Sequence, residues 1–277
     1  MIHVKRSIPA PDILLKKDNN GLTPADKIAR HFRLNPQISY VFSVYNAGEV
    51  KAALRIMFGD KCGFCEGKYA AFHAMVVEHF RPKSAVRDHV GTLTKPGYHW
   101  LAVEWTNLLA CCFDCNSWRN HIDESGNTIK SGKENYFPLA DYSKRARAVG
   151  EEHNEQPLLL DPTVDDPELH LEFDNNGIVS ARQTDVGMAS AIGAESIQVL
   201  GLYRHDLTRS RRAHAVRVLG AVETLRRTVK RVKQYPSDDS FKVEAKAQLD
   251  ELMSFLHPSA EYSAMVRDIL QRESLLS

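Results

Sequence analysis

The sequence predicts an α+β fold: a small cysteine-braced core between a helical lead-in and a mainly helical C-terminal domain. Three observations predict it. Two Cys-x-x-Cys pairs, Cys62/Cys65 and Cys112/Cys115, are separated by the 46 residues from 66 to 111. A strong turn signal, "DNNG", lies between "HLEF" and "IVSAR", which reads as a hairpin. From about residue 187 onward, apolar residues recur at helical spacing.

Taken in order, residues 1–20 read as a poorly ordered or extended lead-in, because Pro9 and Pro11 discourage a helix. "TPADKIARHF" opens with a Thr-Pro start signal. "NAGEVKAALRIMFGD" carries Val50, Ala53, Leu54 and Met57 on one helical face and stops at Gly59. The cysteine region occupies roughly 60–140, followed by an extended segment and the hairpin. "AESIQVLGL" is a helix ending at a glycine break; Asp206 or Thr208 then caps a long helix through about Gln234. "YPSDDS" interrupts, and "FKVEAKAQLDELMSFLH" and "SAEYSAMVRDILQRE" supply two more helices. These readings divide the chain into a lead-in and helix (1–44), a core (45–140), an extended segment with hairpin (141–186) and a helical domain (187–277).

Composition narrows the function classes. The chain has 277 residues, 43% of them hydrophobic and 26% charged, with a net charge of +1, so any argument for a nucleic-acid partner has to be local. No stretch approaches the ~18 apolar residues of a membrane span, and "MIHVKRSIPAPDILLKK" lacks a signal peptide's apolar run. The expected location is therefore cytoplasmic, with no membrane partner. Thiols stay reduced there, so paired cysteines favour metal over disulfide. Cys62, Cys65, Cys112 and Cys115 offer four thiolates in the pattern tetrahedral Zn²⁺ takes, each pair one knuckle. Cys111 reads as a small buried residue. Four ordinary core cysteines, or a redox pair without a βαβ context, are the competing readings.

Between the knuckles, "VVEHFRPKS" suggests a strand that ends in a basic turn, and "GYHWLAVEWTNLLACCFDCNSWRNH" delivers Asn107 before the second knuckle and Asn116 just after Cys115. The resulting order, CxxC, Glu-His, Asn, CxxC-Asn, resembles an HNH (ββα-metal) endonuclease whose motif is braced by a four-cysteine zinc site. More narrowly, "KCGFCE", "VEHFRPK", "GYHWLAVEWTNLLACCFDCN" and "NYFPL" resemble the HNH subunit of Septu-type anti-phage systems, some of them retron-associated. "EQPLLLDPTVDDPELHLEFDNNG" and "SIQVLGLYRHDLTRSRR" extend the likeness over roughly residues 45–215.

The resemblance implies a metal-dependent endonuclease acting on DNA or RNA, and an ABC-type ATPase partner. It makes His79 the general base, Glu78 and Asn116 ligands of a catalytic Mg²⁺ or Mn²⁺, and Asn107 the residue that orients His79. Hard oxygen donors suit such an ion, and a neutral imidazole suits proton abstraction from water. Where many relatives carry a lysine three residues after the helix asparagine, this chain has Arg119; Asn120 and His121 are weak candidates for a further ligand. Arg81 and Lys83 flank the proposed site as phosphate contacts. Blander readings stand beside these: Glu78 as a strand carboxylate paired with Arg81, Asn107 and Asn116 as helix caps, and Tyr98, Trp100 and Trp105 as core filling. His73, His89, His99, His153 and His170 read as surface or structural. The helix from 204 to 233 carries Arg204, Arg209, Arg211, Arg212, Arg217, Arg226, Arg227, Lys230, Arg231 and Lys233, a surface for a nucleic-acid backbone or for an acidic partner protein. The rival function, from another class, is a zinc-knuckle module that binds nucleic acid or protein without cutting.

Overall fold

The computed structural model describes residues 1–36, 38–69, 74–88, 90–185 and 187–276. His73 and His89 lie outside them. The architecture is α+β, with seven α-helices among the described residues and four small two-stranded antiparallel sheets.

Helix α1 (Pro24–Leu34) starts on a capping box, in which Thr23 accepts from Asp26 N and Asp26 accepts from Thr23 N. Helix α2 (Gly48–Phe58) buries Val50, Ala53, Leu54 and Phe58 and ends on Gly59 in the left-handed conformation (φ 63°). The first sheet pairs β1 (Val76–His79) with β4 (Leu108–Cys111) in the register Val76↔Cys111 to His79↔Leu108. All four β4 residues are buried, as a strand covered on both faces requires. Helix α3 (Phe113–Asn116) follows at once and packs on β1, so strand, strand and helix form one ββα unit. Short strands β2 (Val86–Arg87) and β3 (Leu93–Thr94) lie in the connection between the two long strands.

After α3 comes a hairpin of β5 (Arg119–Ile122) and β6 (Thr128–Ser131). The "DNNG" hairpin forms where expected, from β7 (Leu171–Phe173) and β8 (Val179–Ala181); Asp174 Oδ1 accepts from Asn176 N and Ile178 N, closing the turn. The C-terminal helices are α4 (Ala191–Val199), α5 (His205–Gln234), α6 (Asp239–Ser254) and α7 (Ser263–Arg272). The long helix is N-capped by Arg204 without a side-chain cap bond; Asp206 lies in its first turn and Thr208 is buried.

The lead-in is more ordered than its prolines suggest. Met1, Ile2 and Val4 belong to the core, and the Met1 backbone nitrogen sits 2.8 Å from Glu66 Oε1. Arg6 donates to the carbonyls of Trp105, Thr106 and Leu108, tying the segment to the loop before β4. Hydrogen bonds to another segment supply the order that local propensity withholds. No helix among the described residues is long and apolar enough to cross a membrane.

Candidate metal centre and catalytic cleft

The thiols of Cys62, Cys65, Cys112 and Cys115 converge, with all four sulfurs within 4.8 Å of one another. The Cys65 and Cys112 sulfurs are 3.8 Å apart. Tetrahedral Zn²⁺ with bonds of about 2.3 Å places its sulfurs roughly 3.8 Å apart, so the donor set fits this ion. Local backbone makes the two knuckles. Glu66 N donates to Cys62 O, Cys62 N to Gly67 O and Cys115 N to Cys112 Sγ, while Gly63 N bonds Ala110 O on β4. Four thiolates around a divalent ion carry excess negative charge, and Arg204 answers it. Its guanidinium donates to Cys115 Sγ at 3.6 and 3.7 Å and to Cys112 Sγ at 4.0 Å. Burial opposes that charge, but the thiolates outweigh burial and hold the guanidinium pKa above its ordinary value. Cys111 is buried and outside the cluster, as expected.

On the neighbouring face of the ββα unit, a cleft of about 350 Å³ is lined by Glu78 and His79 of β1, by Lys83 and Ser84 of the following turn, and by Asn116 of α3, with Tyr45 and Glu134 at its sides. Helix α3 is a single turn that contains Cys115 and ends on Asn116, so the thiol cluster directly sets the place of the asparagine. The Asn116 carboxamide has no hydrogen-bond partner among the described residues, which leaves its oxygen available to a ligand.

His79 is buried, and its Nε2 lies 2.9 Å from the carbonyl of Ala102. A carbonyl only accepts, so Nε2 carries the proton and Nδ1 holds the lone pair. Burial, then the ammonium of Lys83, hold the imidazole pKa well below the usual histidine range, against the Ala102 bond. Lys83 Nζ is 3.5 Å from Nδ1 and sits over the Tyr45 ring at 4.5 Å; that ring stands edge-on to the imidazole, with centroids 4.6 Å apart. A neutral base whose unprotonated nitrogen faces a cation is an arrangement suited to deprotonating water next to a phosphate.

Glu78 is buried and paired with Lys133, not Arg81. Lys133 Nζ donates to Glu78 Oε1 and to His79 O, both at 2.7 Å. Burial raises the Glu78 pKa and Lys133 opposes it. The Asn107 carboxamide bonds backbone, not the imidazole. Its Oδ1 accepts from Arg81 N at 2.8 Å and its Nδ2 donates to Arg81 O and Leu101 O, so it fixes the backbone just after His79 and just before the Ala102 carbonyl. Glu78 and Asn116 present oxygen donors in one cleft, a set that fits a hard ion such as Mg²⁺ or Mn²⁺.

Several sequence-predicted residues stand elsewhere. Arg81 is engaged in a largely buried ion pair, its Nε 2.8 Å from Glu155 Oε2. Arg119 is about half exposed, pairs with Asp114 at 3.2 Å, and is not among the cleft-lining residues. Asn120 and His121 lie on strand β5, not on a further helical turn, because the helix ends at Asn116 and pairing with β6 takes over; neither lines the cleft. Tyr98 and Trp105 are buried core residues; the Tyr98 hydroxyl donates to Glu155 and Trp105 Nε1 to Ile8 O. Arg204, at the N-cap of α5, and Arg211 within it are buried, while Arg212 pairs with Glu124 and Arg226 with Glu273, so the basic face is narrower than its count of cations. Sequence reasoning missed Lys133, Tyr45 and the Arg204 clamp. The only local signal for Lys133 was its place beside the quoted "NYFPL" stretch, and position alone does not reveal a partner 55 residues away.

No family model matches the chain. It is 34% identical over 286 residues to the Septu protein PtuB of Bacillus mycoides (strain KBAB4), an alignment covering 97% of this chain and 89% of that protein. It is 25% identical over 284 residues to the Septu protein PtuB of Bacillus thuringiensis, covering 98% and 82%. A third likeness, 26% over 156 residues, is to the Septu protein PtuA of Bacillus mycoides and covers 56% of this chain and 19% of that protein.

Proposed function

The chain belongs to the Septu PtuB family, and from that premise we propose that it is a metal-dependent HNH endonuclease of an anti-phage defence system, acting with a PtuA-type ATPase partner. One observation carries the reading: Glu78, His79 and Asn116 line a single cleft, and the imidazole is held neutral with its Nδ1 lone pair facing Lys83 Nζ at 3.5 Å. A divalent cation bound at Glu78 and Asn116 would neutralise the scissile phosphate and the leaving oxygen. The protein's own residues do the rest. Ala102 keeps the proton on Nε2, and Nδ1 takes a proton from the water whose oxygen bonds to phosphorus as the opposite P–O bond breaks. Lys83, beside Nδ1, meets a phosphate oxygen. The four thiolates and Arg204 hold α3, and with it Asn116, against β1.

The test is incubation of the purified chain, alone and with its PtuA-type partner, with plasmid DNA and tRNA in Mg²⁺ or Mn²⁺. Cleavage lost in His79→Ala and in EDTA is the expected result. Stable binding without cleavage under every metal and partner condition would instead make the chain a zinc-knuckle binding module.

A further inference from the structure

We propose that Lys133 is a positioning residue for the catalytic cation: it pins one carboxylate oxygen of Glu78 from behind the cleft and so leaves the other oxygen to the metal. The inference rests on the reading of Glu78 as a metal ligand and names a residue that this reading did not contain.

Lys133 is completely buried. Withdrawing an ammonium group from water is expensive unless it is paired and hydrogen-bonded, and the two 2.7 Å bonds to Glu78 Oε1 and His79 O provide that pairing. Both acceptors belong to the residues proposed for the chemistry. The backbone around Lys133 is attached to the other side of the same cleft. Lys133 N donates to Cys115 O at 2.8 Å, and Glu134 N donates to Asn116 O at 2.6 Å. One residue therefore ties the end of β1 to the last turn of α3, the two elements that carry the oxygen donors.

The direction of approach separates positioning from competition. Glu78 lines the cleft and Lys133 does not, so the ammonium reaches the carboxylate from the protein side. Lys133 occupies Glu78 Oε1, and the His79 backbone N–H also bonds this carboxylate, so its plane is held from the strand side. A carboxylate with one oxygen fixed in this way coordinates through a single oxygen, with its plane set before the ion arrives. This is how partners behind a metal ligand ordinarily raise affinity.

The experiment is a double-mutant cycle on Mn²⁺ binding, read by electron paramagnetic resonance and calorimetry on the full, zinc-loaded chain, with Lys133→Met, Glu78→Gln and the double variant. Lys133→Arg is carried in parallel, because it keeps the buried charge if the methionine variant folds poorly. The expected result is a Mn²⁺ Kd weakened by about tenfold or more in Lys133→Met, partial recovery in Lys133→Arg, and no further loss when Lys133→Met is added to Glu78→Gln. Zinc content should stay at one equivalent throughout. Unchanged or tighter Mn²⁺ binding in Lys133→Met, or losses that simply add in the double variant, overturns the proposal and leaves the nuclease reading standing. Failure of the wild-type chain to bind Mn²⁺ overturns the metal reading and this proposal together.

Discussion

Arg81 offers the sharpest contrast between a charge that binds substrate and a charge that holds the fold. Its partner Glu155 has a side chain with no exposed surface, and that carboxylate accepts from Arg81 Nε at 2.8 Å, from the Tyr98 hydroxyl at 2.7 Å and from Ala146 N at 2.8 Å. The guanidinium also lies 5.4 Å from the Phe137 ring and 5.7 Å from Phe80. Replacing Arg81 with methionine keeps most of the volume and removes the charge, leaving Glu155 buried with two neutral donors. Breaking a buried pair in this way costs about 3–5 kcal/mol. With an unfolding entropy near 2.1 cal/mol/K per residue, or roughly 0.6 kcal/mol/K for this chain, Tm falls by about 5–8 °C. Calorimetry on the zinc-loaded protein measures it, and the cycle with Glu155→Gln reports the coupling. The main-chain grip of Asn107 on Arg81 is untouched, so nucleic-acid affinity should keep its salt dependence. A Tm within about 1 °C of wild type, together with a salt slope reduced by about one unit, would show Arg81 to be a phosphate contact after all.

Other consequences follow from the same geometry. Because burial and then Lys83 depress the His79 pKa, the acid limb of the pH–rate profile should lie below about 6.5; Lys83→Met removes one depressing charge and moves the limb upward, and an unmoved limb refutes the role of Lys83. The corresponding stability term has a fixed sign: the unfolded chain protonates first on acidification, so the contribution of neutral His79 is full above about 6.5 and is lost as pH falls toward the folded value. Removing zinc with a strong chelator, or changing Cys112 to Ser, should unfold the ββα unit, seen as loss of near-ultraviolet dichroism; Arg204→Ala should weaken zinc retention without removing a ligand. Asn107→Ala should leave Mn²⁺ bound but cost about 1–3 kcal/mol of stability and most of the cleavage rate. Gly132→Ala should fail to fold normally, since a Cβ there would lie 2.0 Å from Ser117 O and φ is +121°.

How much of this was legible before the chain was folded depends on distance along it. The helix starts at Thr23 and stop at Gly59, the "DNNG" turn, and both Cys-x-x-Cys knuckles are local, and each formed as its spacing implied. The order Glu-His, Asn, Asn was readable because β1, the loop and α3 use it within one small unit. The length of α3 was not readable: one turn and a β-hairpin replaced the longer helix that would have carried Asn120 and His121. That choice is made by the hairpin's pairing and by Lys133 and Glu134 taking the carbonyls of Cys115 and Asn116, not by propensity.

The sequence alone therefore determined which atoms are available: four thiolates in two knuckles, an acid and an imidazole side by side, and carboxamides at the family's spacing. Only the tertiary structure decided what each is bonded to. Glu78 meets Lys133, Arg81 meets Glu155, the His79 ring meets the Ala102 carbonyl, and the thiolates meet Arg204, at separations of 55, 74, 23 and up to 92 residues. A buried charge must find its counter-charge wherever packing brings one within about 3 Å. No periodicity in the chain records that meeting.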